Sequence, residues 1–107
     1  MCVEYIIEGN GFGGTLPFEL GQLTELRFLI LERGDLSSSI PSEYGELKNL
    51  LYLDLDYNHL TSTIPSEIFS LTKLMQLDLN DNELSGTLRL VIFIIFLSIL
   101  FQPKHIH

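Results

Sequence analysis

The chain has 107 residues, with six basic and 14 acidic side chains and a formal net charge of −8 at pH 7. All 14 acidic residues and four of the basic ones lie within residues 1–88, so this part carries a net charge of −10. Such an acidic body disfavours a nucleic-acid partner, because phosphate binding needs clustered Lys and Arg. Cys2 is the single cysteine, which excludes an internal disulfide and a cysteine-based zinc site.

The beginning of the sequence carries no secretory signal peptide. Met1 to Tyr5 lacks the basic region and the apolar stretch of such a signal. The sequence also contains no Asn-x-Ser/Thr acceptor for glycosylation. The compartment is therefore left open.

Residues 9–14 read Gly-Asn-Gly-Phe-Gly-Gly and match the G-x-G-x-x-G pattern of nucleotide-binding loops. Such a loop needs a helix N-terminus directly after it, to supply amide donors to a phosphate. Pro17 is badly placed for a helix that starts in the loop. We therefore predict a turn here and no bound cofactor.

Apolar residues return every 24 residues, which is the strongest pattern in the sequence. The aligned sets are Leu26/Leu50/Leu74, Leu29/Leu53/Leu77, Leu31/Leu55/Leu79, Leu36/Leu60/Leu84 and Ile40/Ile64/Leu88. Three clear units and one degenerate first unit therefore begin near residues 2, 26, 50 and 74. Together they predict one repeat domain over residues 1–88.

Each unit predicts the same local structure, shown here for the third. Leu53 and Leu55 alternate with polar residues and are expected to point inward from a short strand. Asn58 marks a turn, where its amide can bond unpaired backbone groups. Pro65 ends strand pairing, and Ser66 is predicted to cap the helical turn that follows.

No single unit can bury its own leucines, so the units must stack. Side-by-side strands then form a parallel sheet over one continuous core. The predicted fold class is an α/β repeat solenoid.

The unit resembles the plant-type leucine-rich repeat, with its pattern L-x-x-L-x-L-x-x-N-x-L-[ST]-G-x-I-P. The match spans about residues 2–88, and Ile64-Pro65 is its most specific element. The resemblance implies a right-handed coil with a parallel β-sheet on the concave face and short helical or irregular turns on the convex face. It also implies recognition of a protein or peptide by the concave strands, as in receptor-kinase ectodomains, receptor-like proteins and inhibitors of wall-degrading enzymes.

The sequence departs from the family pattern in several places. Gly34 stands where the family has Asn, and Ser38 and Ser62 stand where it has Gly. No paired cysteines flank the repeats and no kinase domain follows them. The chain itself therefore gives no support to a receptor kinase.

The outward positions of the predicted strands form columns that cross the repeats. One column is Glu8, Glu32, Asp56 and Asn80, and the next is Ile6, Ile30, Asp54 and Asp78. Like charges on strands about 4.8 Å apart repel each other, which a cationic partner would relieve. We predict binding of a protein or peptide, of basic character, through Phe28, Ile30, Glu32, Tyr52, Asp54, Asp56, Tyr57, Gln76, Asp78 and Asn80.

The alternative for this face is a solvated polar surface without a partner. A calcium site from Asp54, Asp56, Asp78 and Asp81 is disfavoured, because calcium needs six to eight oxygens and a flat sheet rarely converges so many. No metal site is predicted.

Catalysis has little support in the sequence. His59 is predicted to lie exposed in a turn, and residues 37–39 resemble a flexible serine turn with no histidine and acid nearby at a suggestive spacing. We therefore expect that the chain is not an enzyme.

Residues 89–107 break the repeat register. Residues 90–101 form a nearly unbroken apolar run of 12, which as a helix spans about 18 Å against about 30 Å of membrane hydrocarbon. The run is interpreted as a cap over the last repeat, as a membrane contact or as a product of truncation. A membrane-associated structural or receptor-like accessory fragment is accordingly the alternative function.

Overall fold

The computed structural model describes residues 3–6, 13–85 and 105–106. The strands are β1 (Glu4–Ile6), β2 (Phe28–Ile30), β3 (Ser37–Ser38), β4 (Tyr52–Asp54), β5 (His59–Leu60), β6 (Gln76–Asp78) and β7 (His105–Ile106). Short 3₁₀ helices are η1 (Phe18–Gln22), η2 (Ser42–Glu46) and η3 (Ser66–Ser70). In each of the first three coils a sheet strand is followed by a 3₁₀ helix, as the repeat pattern predicts.

The main sheet contains one strand from each of the four repeats, followed by β7, in the order β1-β2-β4-β6-β7. All its pairs are parallel, and Leu29 lies beside Leu53, which lies beside Leu77. Neighbouring repeat strands are therefore paired without a register slip. This confirms the predicted stacking.

The leucines that return every 24 residues form one continuous core. Leu29, Leu53 and Leu77 are 0%, 1% and 2% exposed. The rows on either side of them, which include Leu55 and Leu60, are buried as well. Removal of this apolar surface from water is the main favourable term for folding, since no coil has a core of its own.

Asn58 holds two successive coils together from inside the turn. Its Oδ1 accepts hydrogen bonds from the backbone N–H of Gly34 at 3.0 Å and of Leu36 at 3.1 Å. Its Nδ2 donates to the carbonyl oxygens of Leu31 at 2.8 Å and Leu55 at 3.1 Å. The predicted role of this asparagine is confirmed, and its bonds cross to the coil that carries glycine at the equivalent position.

The 3₁₀ helices begin directly after prolines, and this corrects one prediction. Pro65 has extended φ and ψ of −64° and 139° and is the N-cap of η3, whereas Ser66 is its first helical residue. No side chain caps the helix. Because proline fixes φ and leaves the chain ready to turn, the helix starts one residue after it and the serine hydroxyl is not needed as a cap.

Tyr44 occupies the core position that Leu20 and Ile68 hold in neighbouring coils. Its ring is fully buried, and its hydroxyl donates a hydrogen bond of 2.9 Å to the Pro17 carbonyl. Burial raises the pKa of this phenol well above its ordinary value. A larger side chain is thus accommodated because its polar tip has a partner in the preceding coil.

Glycines allow the convex helices to pack closely. A Cβ at Gly21 would lie 2.5 Å from the Glu43 carbonyl oxygen, and one at Gly45 would lie 2.6 Å from the Glu67 Cβ. Phe69 stands at the equivalent position of the next coil and packs against the core. The close approach of η1 to η2 and of η2 to η3 therefore depends on a missing side chain.

A second, two-stranded parallel sheet joins β3 to β5. Residues 37–39 are therefore not a flexible turn, because Ser37 and Ser38 pair with the next coil. His59 likewise lies in a strand instead of a turn, with its side chain exposed and 3.3 Å from Asp35. Backbone pairing between coils extends to this side of the solenoid, which short-range sequence signals do not reveal.

The strand β7 pairs in parallel with β6, and His105 lies beside Gln76. The predicted boundary at residue 88 and the apolar run 90–101 lie outside the described residues. Within the part of the chain that the structure describes, no helix is long and apolar enough to cross a membrane.

Candidate binding surface

We use the term strand face for the outward surface of β1, β2, β4 and β6 with the residues that directly follow these strands. The pairing places Ile30 beside Asp54 and Asp54 beside Asp78, and it places Phe28 beside Tyr52. These are the columns that the sequence predicts. The side chains therefore form ordered rows across the coils.

The apolar part of the strand face lies on the first coils. Ile6 is 50% exposed and Ile30 is partly exposed. Phe28 and Tyr52 contact each other with ring centroids 5.4 Å apart and ring planes tilted by 54°. Tilted aromatic pairs of this kind are favourable, and they leave ring surface available to a partner.

The acidic part lies on β4 and β6 and at the carboxyl end of the strands, where it begins with Glu32 just after β2. Oxygen atoms of Glu32, Asp54 and Asp56 lie within 4.8 Å of one another. The backbone supports two of these carboxylates: the Asp56 N–H donates to Asp54 Oδ1 at 3.0 Å, and the Asn80 N–H donates to Asp56 Oδ1 at 2.6 Å. Two of these three half-buried carboxylates are thus fixed by backbone donors, and Glu32 lies close to both.

Burial raises the pKa of two of these carboxylates, and the neighbouring charges add to the rise. The pKa of Asp54 rises from 3.8 to about 6, because of burial first and of the nearby Glu32 and Asp78 in addition, against a lowering by the Asp56 N–H. The pKa of Asp56 also rises from 3.8 to about 6, again mainly through burial, with the charges of Asp54 and Asp78 adding to it. Both groups titrate just below neutral pH. At pH 7 each is mostly ionised, and its negative charge destabilises the folded chain because the group is partly buried.

Asp78 continues the acidic column to the last repeat strand. Its Oδ2 accepts a hydrogen bond of 2.9 Å from Gln76 Nε2. Its Oδ1 is buried and has no hydrogen-bond partner among the described residues. A buried carboxylate oxygen without a donor is unfavourable, which adds to the electrostatic strain of this surface.

At the carboxyl end of the strands, Arg33 lies over the ring of Tyr57, with Cζ 4.5 Å from the ring centroid. Arg33, Tyr57 and Asp81 all have positive φ, of 58°, 58° and 57°. The left-handed conformation thus recurs at the same position in three successive coils and turns the chain away from the sheet. The cation–π contact holds the aromatic ring at the rim of the strand face.

The structure brings together on one surface all ten residues predicted to bind. Their binding role itself stays a prediction. The carboxylates that converge are Glu32, Asp54 and Asp56, whereas the set considered for calcium combined Asp54 and Asp56 with Asp78 and Asp81. Three converging oxygens are fewer than the six to eight that calcium takes.

Sequence reasoning left two residues of this surface out of the predicted site. Ile6 is more exposed than Tyr52 and Tyr57, and its position in the column beside Ile30 was the signal. Arg33 lies one repeat before Tyr57, and this spacing of 24 residues is the signal that places the two side chains in adjacent coils.

Of the four Lys and Arg side chains among the described residues, three make their contacts with groups other than the strand-face carboxylates. Lys48 and Lys73 bond elsewhere, to Ser70 and Asn49. Arg33 is engaged with an aromatic ring. Chemically, the surface offers carboxylates, exposed aromatic rings and an apolar patch, a combination suited to binding cationic and apolar side chains.

Comparison with known proteins agrees with this architecture. The family model for the Leucine Rich Repeat matches residues 49–71. Curated protein sequences give no match. Among solved structures, the ectodomain of the Arabidopsis thaliana receptor kinase GASSHO1/SCHENGEN3, in complex with CASPARIAN STRIP INTEGRITY FACTOR 2, is 30% identical with a TM-score of 0.82 over 98% of this chain and 12% of that one.

Two further plant ectodomains are similar. That of the Arabidopsis thaliana receptor kinase SOBIR1 is 33% identical, with a TM-score of 0.70 over 74% of this chain and 43% of that one. The Arabidopsis receptor kinase HAESA, in complex with the peptide hormone IDA and the co-receptor SERK1, is 39% identical, with a TM-score of 0.65 over 67% of this chain and 12% of that one. The chain thus spans less than half the length of each of these relatives. With the repeat pattern, the aligned leucine rows and these likenesses, the chain is identified as a plant-type leucine-rich-repeat protein, a solenoid with its parallel sheet on the concave face.

Proposed function

We propose that the chain is a non-catalytic binding module that recognises a protein or peptide with basic side chains through its strand face. One observation carries the proposal: in-register pairing puts Asp54 beside Asp78, with Glu32 and Asp56 in the next column. Among the described residues, no Lys or Arg forms an ion pair with these four carboxylates. A partner that brings Lys or Arg would provide such ion pairs.

The energetics favour such a partner. Two unit charges 4 Å apart interact by about 1 kcal/mol in bulk water and by several times more near a low-dielectric surface. The hydrophobic core lies directly beneath these carboxylates, so the repulsion is only partly screened. Charge-assisted hydrogen bonds from a ligand would replace repulsion with attraction.

The similar structures support the same class of partner. The ectodomain of GASSHO1/SCHENGEN3 is in complex with CASPARIAN STRIP INTEGRITY FACTOR 2, and that of HAESA is in complex with a peptide hormone and a co-receptor. This chain spans only 12% of each of those two chains. Their partners are therefore not carried over to it, and a peptide or protein partner is proposed for this chain on its own surface.

Selection from a displayed library of random peptides tests the proposal directly. The full chain is compared with a strand-face variant that carries Asp54→Asn, Asp56→Asn and Asp78→Asn. A matched control removes the same number of charges from the exposed convex helices through Glu43→Gln, Glu46→Gln and Glu67→Gln. The asparagines keep the acceptor oxygens, so the backbone bonds to these side chains are retained.

We expect basic peptides to be enriched on the full chain and on the convex control, but not on the strand-face variant. The affinity of the full chain for these peptides should fall steeply as salt is added, and the strand-face variant should show a flatter salt dependence. Equal enrichment on all three proteins, or none on any, would overturn the proposal.

A further inference from the structure

The strand face changes its chemistry halfway along the sheet. In the central column, β1 and β2 present Ile6 and Ile30, and β4 and β6 present Asp54 and Asp78. The change takes place between two hydrogen-bonded strands. One half of the column is therefore apolar and the other half is acidic.

The aromatic pair lies across this boundary. Phe28 belongs to the strand that carries Ile30, and Tyr52 belongs to the strand that carries Asp54. Tyr52 is 36% exposed. The rings therefore form a continuous apolar edge next to both halves, along which a ligand can cross from one to the other.

The distance between the two halves sets a spacing for the ligand. Parallel strands are about 4.8 Å apart, so the middle of the isoleucine pair lies about 9.6 Å from the middle of the aspartate pair. A polyproline II chain rises about 3.1 Å per residue with three residues per turn. Two side chains three residues apart in such a chain point the same way and lie about 9.3 Å apart.

We propose that the strand face binds extended peptides in which an apolar residue and a Lys or Arg lie three residues apart, at positions i and i+3. The apolar side chain packs on Ile6 and Ile30, and the cation lies between Asp54 and Asp78. This inference rests on the proposed function and adds to it the pattern of the ligand. The strand face of a second copy is a poorer ligand, because its central column carries Asp54 and Asp78 and supplies no Lys or Arg.

The peptides selected on the full chain test this pattern. Their sequences should show apolar and basic residues paired at a separation of three more often than at one, two, five or six, in either order along the peptide. Replacing the Lys or Arg of a selected peptide by Gln, or its apolar residue by Ser, should each weaken binding about tenfold.

Two double variants locate the contacts. Asp54→Asn with Asp78→Asn should weaken binding of the unmodified peptide about tenfold. In this variant, replacing the peptide's Lys or Arg by Gln should have no further effect on binding. Ile6→Ser with Ile30→Ser should also weaken binding of the unmodified peptide about tenfold and remove the further effect of replacing the peptide's apolar residue by Ser. Replacement of the peptide's Lys or Arg by Gln should still weaken binding to this variant. Such cross-compensation is not expected from a variant that only disturbs folding.

The outcomes separate this inference from the proposed function. Two results would overturn the proposed ligand pattern and leave binding by the acidic face in place. One is enrichment of basic peptides with no preferred separation of apolar and basic residues. The other is that the changes in the protein and in the peptide weaken binding independently of each other. The absence of any enrichment that depends on the strand-face aspartates would overturn both.

Discussion

At the scale of single residues, the strand face contains carboxylates whose environment opposes their ionisation. Asp54 and Asp56 have pKa values of about 6 in the folded chain against an ordinary value of 3.8. Because the folded state binds protons more tightly than the unfolded one, these groups favour folding most at low pH. Their contribution is lost as the pH rises through about 6.

The upward direction of these pKa shifts leads to a prediction for stability. Asp54→Asn should raise the melting temperature at pH 7.5, because it removes an unfavourable charge and keeps the acceptor for the Asp56 N–H. The difference from the parent chain should shrink at pH 4.5, where the parent carboxyl is protonated. Thermal unfolding at both pH values, with Glu46→Gln on an exposed helix as control, measures it. A difference that does not change with pH would contradict the assigned cause.

Asn58 supplies hydrogen-bond partners to buried backbone groups of two successive coils. It is 4% exposed and bonds backbone groups of Gly34, Leu36, Leu31 and Leu55. Asn58→Ala should lower the free energy of unfolding by about 2–4 kcal/mol, since several buried donors and acceptors lose their partner.

Urea denaturation checks this value. The matched control is Asn49→Ala, whose side chain makes exposed hydrogen bonds to Thr24 and Lys73 and should cost less than about 1 kcal/mol. Equal losses for the two variants would show that the buried turn is not what makes Asn58 important.

At the scale of elements, the convex helices are held at a separation that glycine sets. Gly45→Ala would place a Cβ 2.6 Å from the Glu67 Cβ and 2.8 Å from its carbonyl oxygen. The helices η2 and η3 must then move apart, which should cost about 1–3 kcal/mol.

Gly34→Ala is the control for this substitution. Its nearest neighbour would be the Leu36 Cγ at 3.2 Å, a side-chain atom that can shift. Alanine there also lowers the entropy of the unfolded chain, so the change should be nearly neutral. Chemical denaturation of both variants tests the ranking, and a larger loss for Gly34→Ala would contradict the close approach at Gly45.

The elements also show how far sequence reasoning reaches in this chain. The strands and their register were predictable because Leu29, Leu53 and Leu77 return at a constant interval and must share one interior row. The cap of η3 was not, since Pro65 and Ser66 both suit a helix start and only the backbone angles decide between them.

The strand face was predictable as a set of columns, but not as a set of contacts. Equal spacing shows that Glu32 and Asp56 occupy one column. It does not show that their oxygens converge with those of Asp54 instead of Asp81. Side-chain direction at the end of a strand depends on the local turn, as the left-handed backbone at Tyr57 illustrates.

At the scale of the whole molecule, the apolar run 90–101 bears on the alternative function of a membrane-associated fragment. We expect the full chain to float with liposomes no more than a chain that ends at Leu88, because 12 residues span about 18 Å as a helix and the hydrocarbon is about 30 Å thick. Flotation of both chains measures this. Flotation of the full chain alone would favour tethering.

The glycine contact on the convex side also has a consequence for the growth of the solenoid. Gly21 and Gly45 each allow the following coil to approach closely, whereas the equivalent sequence position in the third helix is Phe69. A coil duplicated and inserted after the first or second helix would nest as its neighbours do. One copied after the third helix would have to fit beside the Phe69 side chain, which packs against the core, instead of beside a glycine, so the units are not interchangeable as building blocks.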